Sequence, residues 1–417
     1  MASPKLRFKE FDGEWSKSSI LDLSKEKALN NGVFNDQNKV GKGYKLINVL
    51  DMYIERDIDE ARLSLLDLDA KEFERNKVKY GDIFFTRSSL VKEGIAFSNV
   101  YLGNSNDITY DGHLIKLSPD LERIDPLFLN FSLKTSNVRK QLIQGGKTAT
   151  MTTIGQKEVG NCQLDIPSKE EQTKIASFLS AVDEKISQLT QKHELLSQYK
   201  QGMMQKLFSQ QIRFKADDGS EFGEWDFIEL GTATDVTKLA GYEFTKHIVY
   251  KDSGNLIALR GLNVKNNKLD LSDVKYIDDS DLKMLGRSKL YIDDLIFTYV
   301  GTIGDVALIQ ENEKFYLAPN VARIRANKEL LNPVYLLQYF NETSFRRNEI
   351  EKFIATSSQP ALSMTNIRKF HIAKPCLEEQ TKIANFLSAI DQKIEVVAQQ
   401  IEQAKTWKKG LLQQMFV

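Results

Sequence analysis

One stretch of this chain occurs twice, and that repeat constrains the fold more than any other feature of the sequence. Residues 167–186 read PSKEEQTKIASFLSAVDEKI, and residues 375–394 read PCLEEQTKIANFLSAIDQKI. Fifteen of the twenty positions are identical at a constant offset of 208 residues, and twice 208 is 416 in a chain of 417. A repeat this close indicates a duplicated unit. We therefore predict two halves in tandem, each ending in this segment.

Both copies have the apolar spacing of a long helix with a coiled-coil face. Apolar residues recur at alternating intervals of four and three, and Ser168 with Glu171 fits an S-x-x-E capping box at the start of the first helix. A period near 3.5 residues predicts left-handed pairing, most simply of one helix with the other. The alternative is that each helix packs on its own domain, which the narrow apolar seam disfavours. The residues predicted to pair the helices are Ile175, Leu179, Val182, Ile186, Leu189, Ile383, Leu387, Ile390, Ile394 and Val397.

Glycines stand at equivalent places near the ends of both predicted helices. Gly202 and Gly410 are expected to weaken the last turns by roughly 1 kcal/mol each relative to alanine. Counted to Gly202, the first helix is expected to run about 32 residues, or about 48 Å.

Composition is that of a globular protein without a membrane span. Hydrophobic residues make up 41% and charged residues 27% of the chain, and no run of eighteen apolar residues occurs. The start of the chain is too polar for a signal peptide. Cys162 and Cys376 lack zinc-site spacing and are expected to be free thiols in a reducing compartment, the cytoplasm. The zero net charge argues against a nonspecific polyanion binder but leaves local basic patches open.

The region before each repeated segment has the pattern of a mixed α/β domain. Strand-like stretches recur in pairs, at 44–49 and 255–260 and again at 81–87 and 293–299. Asp125 and Asn332 each precede a proline, which is the pattern of a helix N-cap followed by the first helical residue. The fold predicted is α+β, a pseudo-twofold repeat of two tandem domains separated by a pair of long antiparallel coiled-coil helices. The boundaries predicted are 1–166 and 211–374 for the domains, and 167–210 and 375–417 for the helices.

No pattern in the sequence indicates a catalytic centre. The segments 125–128 and 332–335 resemble the (D/N)-P-P-(Y/F) motif of amino-group DNA methyltransferases, but the second proline and a glycine-rich cofactor turn are missing, so a helix cap is favoured. Residues 301–304 form a GxxG too short for a phosphate loop. The four histidines have no ligand spacing, so no metal site is predicted.

The sequence motifs that occur twice in this chain resemble those of one known family. The segment EEQTKIA-x-FLSA-x-D-x-KI, the RFK and GEW words that open each half, and the terminal YKQGMMQKLF and WKKGLLQQMF are similar to the specificity subunits of type I restriction-modification systems. The resemblance covers the whole chain. It implies a non-catalytic subunit that binds double-stranded DNA, in which two target recognition domains each read half of a split site.

The resemblance also implies partners and cofactors. The two helices would act as a spacer and dock two modification (methyltransferase) subunits, and restriction (translocase-nuclease) subunits would join them. No cofactor is expected in this chain, because S-adenosylmethionine would belong to the modification subunit and ATP with Mg to the restriction subunit.

Loops after strands are the expected place for contacts with DNA bases. Arginine and lysine suit guanine, whereas asparagine and glutamine suit adenine. The residues predicted to bind DNA are Arg87, Ser88, Lys92, Lys147, Thr148, Thr150, Arg260, Lys265, Tyr299, Thr302, Ser358 and Gln359.

Two other functions are compatible with parts of the sequence. One is a coiled-coil interaction scaffold whose two α/β domains bind protein ligands. The other is a lone methyltransferase, which the missing cofactor motif disfavours.

Overall fold

The duplication predicted from the sequence corresponds to two compact units. The structure is a computed structural model that describes residues 4–54, 56–265, 267–354 and 360–416. Unit 1 comprises residues 1–191 and 398–417, and unit 2 comprises residues 192–397. Each unit therefore combines one α/β domain with the beginning of one long helix and the end of the other.

Unit 1 contains short strands and helices in mixed order. Its strands are β1 (Ser16–Ser19), β2 (Ser24–Asn31), β3 (Val40–Ile47), β4 (Ser64–Leu66), β5 (Ile83–Thr86), β6 (Ser88–Ser89), β7 (Ser98–Val100), β8 (Ile108–Tyr110), β9 (Leu114–Pro119), β10 (Lys147–Thr148), β11 (Thr152–Thr153) and β12 (Gln163–Ile166). Its helices are α1 (Ala70–Asn76), α2 (Pro126–Leu133), α3 (Ser136–Gly145), α4 (Gln156–Gly160) and the first part of α5 (Lys169–Phe208).

Unit 2 repeats most of this order. Its strands are β13 (Asp226–Glu229), β14 (Thr234–Lys238), β15 (Ile257–Leu259), β16 (Val264–Lys265), β17 (Lys268–Leu269), β18 (Lys275–Tyr276), β19 (Leu295–Thr298), β20 (Val306–Leu308), β21 (Phe315–Leu317), β22 (Val321–Ala326) and β23 (His371–Lys374). Its helices are α6 (Leu230–Ala233), α7 (Gly241–His247), α8 (Pro333–Phe340), α9 (Thr343–Phe345), α10 (Met364–Arg368) and the first part of α11 (Leu377–Gln414).

Three sheets have the same topology in both units, whereas β10-β11-β6 of unit 1 and β16-β17 of unit 2 differ. An antiparallel sheet of order β2-β9-β5-β7 in unit 1 corresponds to β14-β22-β19-β20 in unit 2. A three-stranded sheet follows in each, β4-β3-β8 and β18-β15-β21, and each contains one parallel pair. A two-stranded ladder joins the first strand of each domain to the strand before its long helix, β1 to β12 and β13 to β23. The predicted mixed α/β class and the tandem repeat are therefore confirmed.

The paired strand predictions are confirmed with shifted ends. The 44–49 pattern lies in a strand that begins earlier, at Val40, and ends at Ile47. The 81–87 and 293–299 patterns contain β5 and β19, every residue of which is buried. The predicted N-caps are also confirmed. Asp125 accepts hydrogen bonds from two backbone N–H groups of α2, and Asn332 does the same for α8.

Both long helices continue through the glycines that were expected to weaken them. Helix α5 runs 40 residues and α11 runs 38. Leu207 and Leu411, which follow Gly202 and Gly410, are only 2% and 5% exposed. Burial of such a side chain stabilises by about 1.5–3 kcal/mol, which outweighs the roughly 1 kcal/mol cost of a glycine. The expected length of about 32 residues was therefore too short.

The helical seam faces both the other helix and the domain of its own unit. In unit 1, the seam residues from Ile175 to Ile186 share a buried cluster with Phe128 of α2 and with Leu411 of α11. In unit 2, Met204 shares a cluster with Ile383 and with residues of the second domain. The start of each long helix thus lies beside the end of the other, which is an antiparallel arrangement in each unit. The sequence left two alternatives, pairing of the helices with each other and packing of each helix on its own domain. Both occur, because the apolar seam contacts the other helix and the domain at the same time.

Seam residues farther along the helices are buried as well. Leu189 is 7% exposed and Val397 is 3% exposed. None of the described helices combines the length and the apolar character that a membrane span requires.

Candidate nucleic-acid interface

The repeated EEQ segment binds the start of its own domain. Arg7 donates two hydrogen bonds of 2.8 Å, from Nε and Nη2, to the two carboxylate oxygens of Glu171, which is 1% exposed. In the second copy Arg213 makes the same bidentate contact with Glu379 at 3.0 and 2.7 Å. Because paired, charge-assisted hydrogen bonds are strong and directional, each domain start is held to its long helix. The pairing raises the pKa of both arginines.

The capping box predicted at the start of the first long helix is only half formed. The Glu171 N–H donates to Ser168 Oγ at 3.3 Å, but the Glu171 carboxylate is bound to Arg7.

The glutamine of the same segment fixes the helix that follows the central sheet. Gln172 Oε1 accepts the backbone N–H of Asp125 at 2.8 Å, and Gln380 Oε1 accepts that of Asn332 at 2.8 Å. Both side-chain amides also donate to two backbone carbonyls. The Asp-Pro and Asn-Pro pairs are therefore helix caps bound to the repeated segment, as the sequence favoured.

A lysine at the end of one long helix pairs with an aspartate near the start of the other. Lys200 Nζ lies 2.7 Å from Asp391 Oδ1, and Lys408 Nζ lies 2.5 Å from Asp183 Oδ1. The two pairs are related by the offset of 208. The lysines that interrupt the apolar seam are therefore neutralised within each unit.

The domain of unit 1 brings distant predicted DNA-binding residues into one small sheet. Strand β6 with Ser88 pairs with β11, and β11 pairs with β10, which contains Lys147 and Thr148. The Thr148 and Thr152 hydroxyls lie 2.9 Å apart. Thr150 is exposed at the turn between β10 and β11. We call Ser88–Lys92 and residues 147–153 together the hairpin surface.

Arg87 borders the hairpin surface, and the two predicted lysines lie within it. Arg87 is half-buried, and its Nη1 donates to the Gly112 carbonyl at 3.0 Å. Lys92 is exposed, and its side-chain ammonium has no hydrogen-bond or ion-pair partner among the described residues. Lys147 is 83% exposed, with Nζ 3.8 Å from Glu158 Oε1. All six residues predicted for the first domain therefore lie in or beside one exposed surface of unit 1.

The loop after the buried strand is held in place by an arginine that the sequence reading missed. Arg139 of α3 donates from Nη1 to the Ala96 carbonyl at 2.7 Å and from Nη2 to the Glu93 and Ile95 carbonyls at 2.8 and 2.7 Å. Burial of its guanidinium lowers the pKa of Arg139. Three backbone acceptors for one side chain define the path of the chain immediately after Lys92.

Arg346 has the same task in unit 2. It donates to the carbonyls of Ile303 and Gly304, at 2.8 and 3.3 Å, in the loop that follows β19. Gly301 and Gly304 adopt φ of +80° and +97°, which favours glycine at both turns of that loop. The sequence does contain a signal for this pair: Ser136 to Arg139 and Thr343 to Arg346 stand at one offset of 207.

The predicted residues of unit 2 fall into two places. Tyr299 and Thr302 lie in the loop after β19, and Lys238 Nζ lies 5.2 Å above the Tyr299 ring. Arg260 and Lys265 follow β15 and are paired with aspartates, Asp273 at 3.1 Å and Asp270 at 2.8 Å. The predicted Ser358 and Gln359 lie outside the described residues.

The two places are adjacent through Asn320. Its carbonyl accepts the Tyr299 N–H at 3.1 Å. A Cβ on Gly261, next to Arg260, would lie 3.6 Å from the Asn320 Cβ. The described residues predicted for the second domain are thus neighbours as well, although two of them already have acidic partners.

The described residues show no cluster typical of a metal centre or a nucleophile. Within the described ranges, no group of three His, Cys, Asp or Glu side chains is placed to hold a metal ion. Both cysteines are free, and burial raises the pKa of the Cys162 thiol to about 11. A thiol with a raised pKa is a poor nucleophile.

Comparison with known proteins gives one consistent family. A family model described as the type I restriction modification DNA specificity domain matches residues 13–198 and 224–406. A putative type I restriction enzyme MjaX specificity subunit of Methanocaldococcus jannaschii is 25% identical over 418 residues, spanning 97% of this chain and 93% of the relative. The MjaVIII specificity subunit of the same organism is 24% identical over 334 residues, spanning 78% of this chain and 76% of the relative.

Solved structures agree in fold. The S subunit of a type I restriction-modification system from M. genitalium aligns with a TM-score of 0.60 at 15% identity, covering 100% of this chain and 99% of that one. A chain from a structural study of complex assembly and conformational transition in the type I R-M system aligns with a TM-score of 0.53 at 12% identity, covering 97% of both chains.

Proposed function

The chain belongs to the type I restriction-modification DNA specificity family, and from that premise we propose how its two halves divide the work. It is a specificity subunit with two tandem recognition domains. The domain of residues 1–166 reads one half of a split DNA site, and the domain of residues 211–374 reads the other. The helical segments 167–210 and 375–417 act as the spacer that sets the distance between the two half-sites.

One observation carries this proposal. The surfaces that differ between the two halves are the loops after β5 and β19, whereas the contacts that hold those loops and the helices are the same in both. Arg139 and Arg346 anchor the loops, and the Arg7–Glu171 pair has its counterpart in Arg213–Glu379. A protein that presents two different surfaces on one repeated support is suited to read two different short sequences.

Direct reading of bases takes place on the hairpin surface in unit 1 and on the loop after β19 in unit 2. Arg87, Lys92 and Lys147 supply donors for phosphates or guanine, and the threonine hydroxyls of the hairpin suit either a donor or an acceptor on a base edge. The zero net charge of the chain is compatible with DNA binding because the modification subunits contribute further basic surface.

The modification subunits dock on an aromatic surface that occurs once in each unit. In unit 1, Trp407 is 54% exposed and meets the Phe178 ring edge-on at 6.0 Å, and Phe178 meets Phe8 at 5.8 Å. In unit 2, Phe386 meets Phe214 at 5.6 Å, and Tyr199, at the position equivalent to Trp407, is 52% exposed. A surface repeated at one offset suits one kind of partner bound twice.

Catalysis and cofactors belong to those partners. We assign S-adenosylmethionine to the modification subunit, and ATP with Mg to the restriction subunit. This chain supplies the sequence specificity of both reactions.

Methylation mapping tests the proposal. DNA from cells that carry this subunit with its modification partner is compared with DNA from cells that lack the subunit. The expected result is one new split motif, two specified blocks around an unspecified gap, with a methyladenine on each strand. No new motif, with an active modification subunit shown to be bound, would mean that the repeated helices serve another assembly.

A further inference from the structure

The tip of the hairpin surface exposes apolar side chains among polar and basic ones. Leu90 is 85% exposed, Val91 is 62% exposed and Met151 is 41% exposed. Ser89 pairs with Thr152 in an antiparallel ladder, so Leu90 and Met151 occupy the next opposed positions of the two segments. The three residues are therefore neighbours at the end of this ladder, and we call them the apolar tip.

The loop holds the apolar tip in the solvent by its own hydrogen bonds. The Val91 N–H donates to Ser89 Oγ at 3.3 Å, and the Val91 carbonyl accepts the Gly94 N–H at 3.1 Å. Arg139 fixes the carbonyls that follow. On the opposite segment, the Met151 carbonyl accepts the Ala149 N–H at 3.2 Å. Exposed neighbouring apolar side chains on an anchored loop indicate a binding surface.

The surroundings of the apolar tip match the edge of a thymine. In the major groove, the thymine methyl is the apolar feature of a base edge, and it lies among hydrogen-bonding groups and close to phosphates. Lys92 directly follows Val91, and Lys147 and Thr148 lie on the neighbouring strand. An apolar patch bordered by ammonium and hydroxyl groups therefore complements a thymine methyl flanked by phosphates.

We propose that Leu90, Val91 and Met151 determine specificity by contacting thymine methyl groups in the half-site read by the first domain. This inference rests on the proposed function and adds the chemical feature that is read. The corresponding loop of unit 2 exposes Gly301 and Thr302 and buries Ile303, which is 6% exposed. Methyl reading by this loop is therefore confined to one half of the site.

The test uses the complete complex with its modification subunits and duplexes of the mapped motif. Deoxyuridine replaces thymidine at each position in turn, which removes one methyl group and leaves the hydrogen bonds of the base unchanged. Loss of one buried methyl contact is expected to weaken binding about fourfold. The weaker binding should appear at one or more positions of one half-site and at no position of the other half-site.

Variants then assign the effect to the apolar tip. Leu90→Ala should lower the fourfold ratio, and the triple variant Leu90→Ala/Val91→Ala/Met151→Ala should bind thymidine and deoxyuridine duplexes equally, with a ratio of about one. Leu121→Ala is the matched control, because Leu121 is 41% exposed in the same domain beside Lys169 at the start of α5. That variant should keep the wild-type ratio. Because Leu90 is almost fully exposed, its replacement is expected to leave the melting temperature unchanged.

Two outcomes would overturn the inference. One is a wild-type complex that binds every deoxyuridine duplex as tightly as the parent duplex. The other is a triple variant that retains the wild-type ratio. A complex that does not distinguish the mapped motif from scrambled DNA would instead overturn the proposed function itself.

Discussion

At the scale of single residues, two partly buried arginines hold the loops that follow the central strands of the two units. Arg139 and Arg346 each satisfy several backbone carbonyls of the loop after the central strand. A guanidinium has five donors in a rigid fork, so one side chain can define a loop that has no regular structure. The loop sequences proposed to read DNA differ between the halves, whereas each half holds its loop with an arginine.

Arg139→Lys is predicted to relax specificity in one half of the site only. A lysine ammonium cannot reach three carbonyls in the same fixed geometry, so the loop after Lys92 loses its defined path. Methylation mapping should show degenerate bases in one block of the motif and an unchanged second block. Arg346→Lys is the matched variant and should relax the other block. A uniform fall in methylation, with both blocks still fully specified, would mean that Arg139 supports stability alone.

Lys134, which follows α2, has a partly buried side chain, and this burial costs stability. Burial, reinforced by the charge of Lys408, lowers the pKa of Lys134 to about 8 from 10.5, and its side-chain ammonium makes no hydrogen bond or ion pair with the described residues. Lys134→Met is therefore predicted to stabilise the protein by about 1–3 kcal/mol at pH 7. Thermal unfolding of the variant measures the gain, and Lys140→Met, at an exposed lysine of α3, should leave the midpoint unchanged.

The pH dependence of stability gives a second test of the Lys134→Met prediction. Between about pH 8 and pH 10.5 the unfolded chain keeps the Lys134 proton that the folded chain has released, so the wild type gains stability as pH rises. The advantage of Lys134→Met should therefore shrink across that window. An advantage that is constant from pH 7 to pH 10.5 would indicate a packing effect instead.

At the scale of elements, the repeated segment fixes the long helix to its domain. Its glutamate holds the first residues of the domain, and its glutamine holds the cap of α2 or α8. The apolar face of the helix closes the domain core between these two contacts. These contacts require the same glutamate and glutamine in both copies of the segment, which gives a physical reason for their identity at those positions.

Arg7→Ala is predicted to destabilise more than Arg213→Ala. Removing Arg7 leaves the buried Glu171 carboxylate without its cation, which costs about 3–5 kcal/mol. In the second copy the Trp225 Nε1–H still donates to Glu379 at 2.9 Å, whereas the Trp15 indole nitrogen has no partner among the described residues. A hydrogen bond to a charged group offsets about 1.5–3 kcal/mol of that cost. Melting temperatures of the two variants measure the difference, and equal losses would contradict this account.

At the scale of the whole molecule, duplication gives each unit an exposed aromatic residue at the same place on a long helix. The aromatic surfaces around Trp407 and Tyr199 lie at the same offset as the helix repeat. Each unit contains a complete surface, because each combines the start of one long helix with the end of the other. This repetition supports the proposal that two modification subunits bind, one to each unit.

Loss of either exposed aromatic residue is predicted to remove one of the two bound modification subunits. Trp407→Ala and Tyr199→Ala should each lower the stoichiometry of the purified complex from two to one, and the double variant should bind none. Mass measurement of the complex in solution checks this. Val396→Ala, at another exposed residue of α11, is the control and should leave two subunits bound. Full stoichiometry in the double variant would place the docking surface elsewhere.

The sequence by itself determined the duplication, the two long helices and the caps of α2 and α8. These features depend on residues that are close in the chain or recur at a regular period, so their pattern is visible without the fold. Only the tertiary structure joined Ser88 to Thr148 in one sheet, placed Arg139 on the loop carbonyls and paired Arg7 with Glu171, 164 positions away. Such contacts depend on the packing of distant segments, and no local spacing encodes them. The helices likewise exceeded their expected length because burial of Leu207 and Leu411 outweighed the intrinsic cost of a glycine.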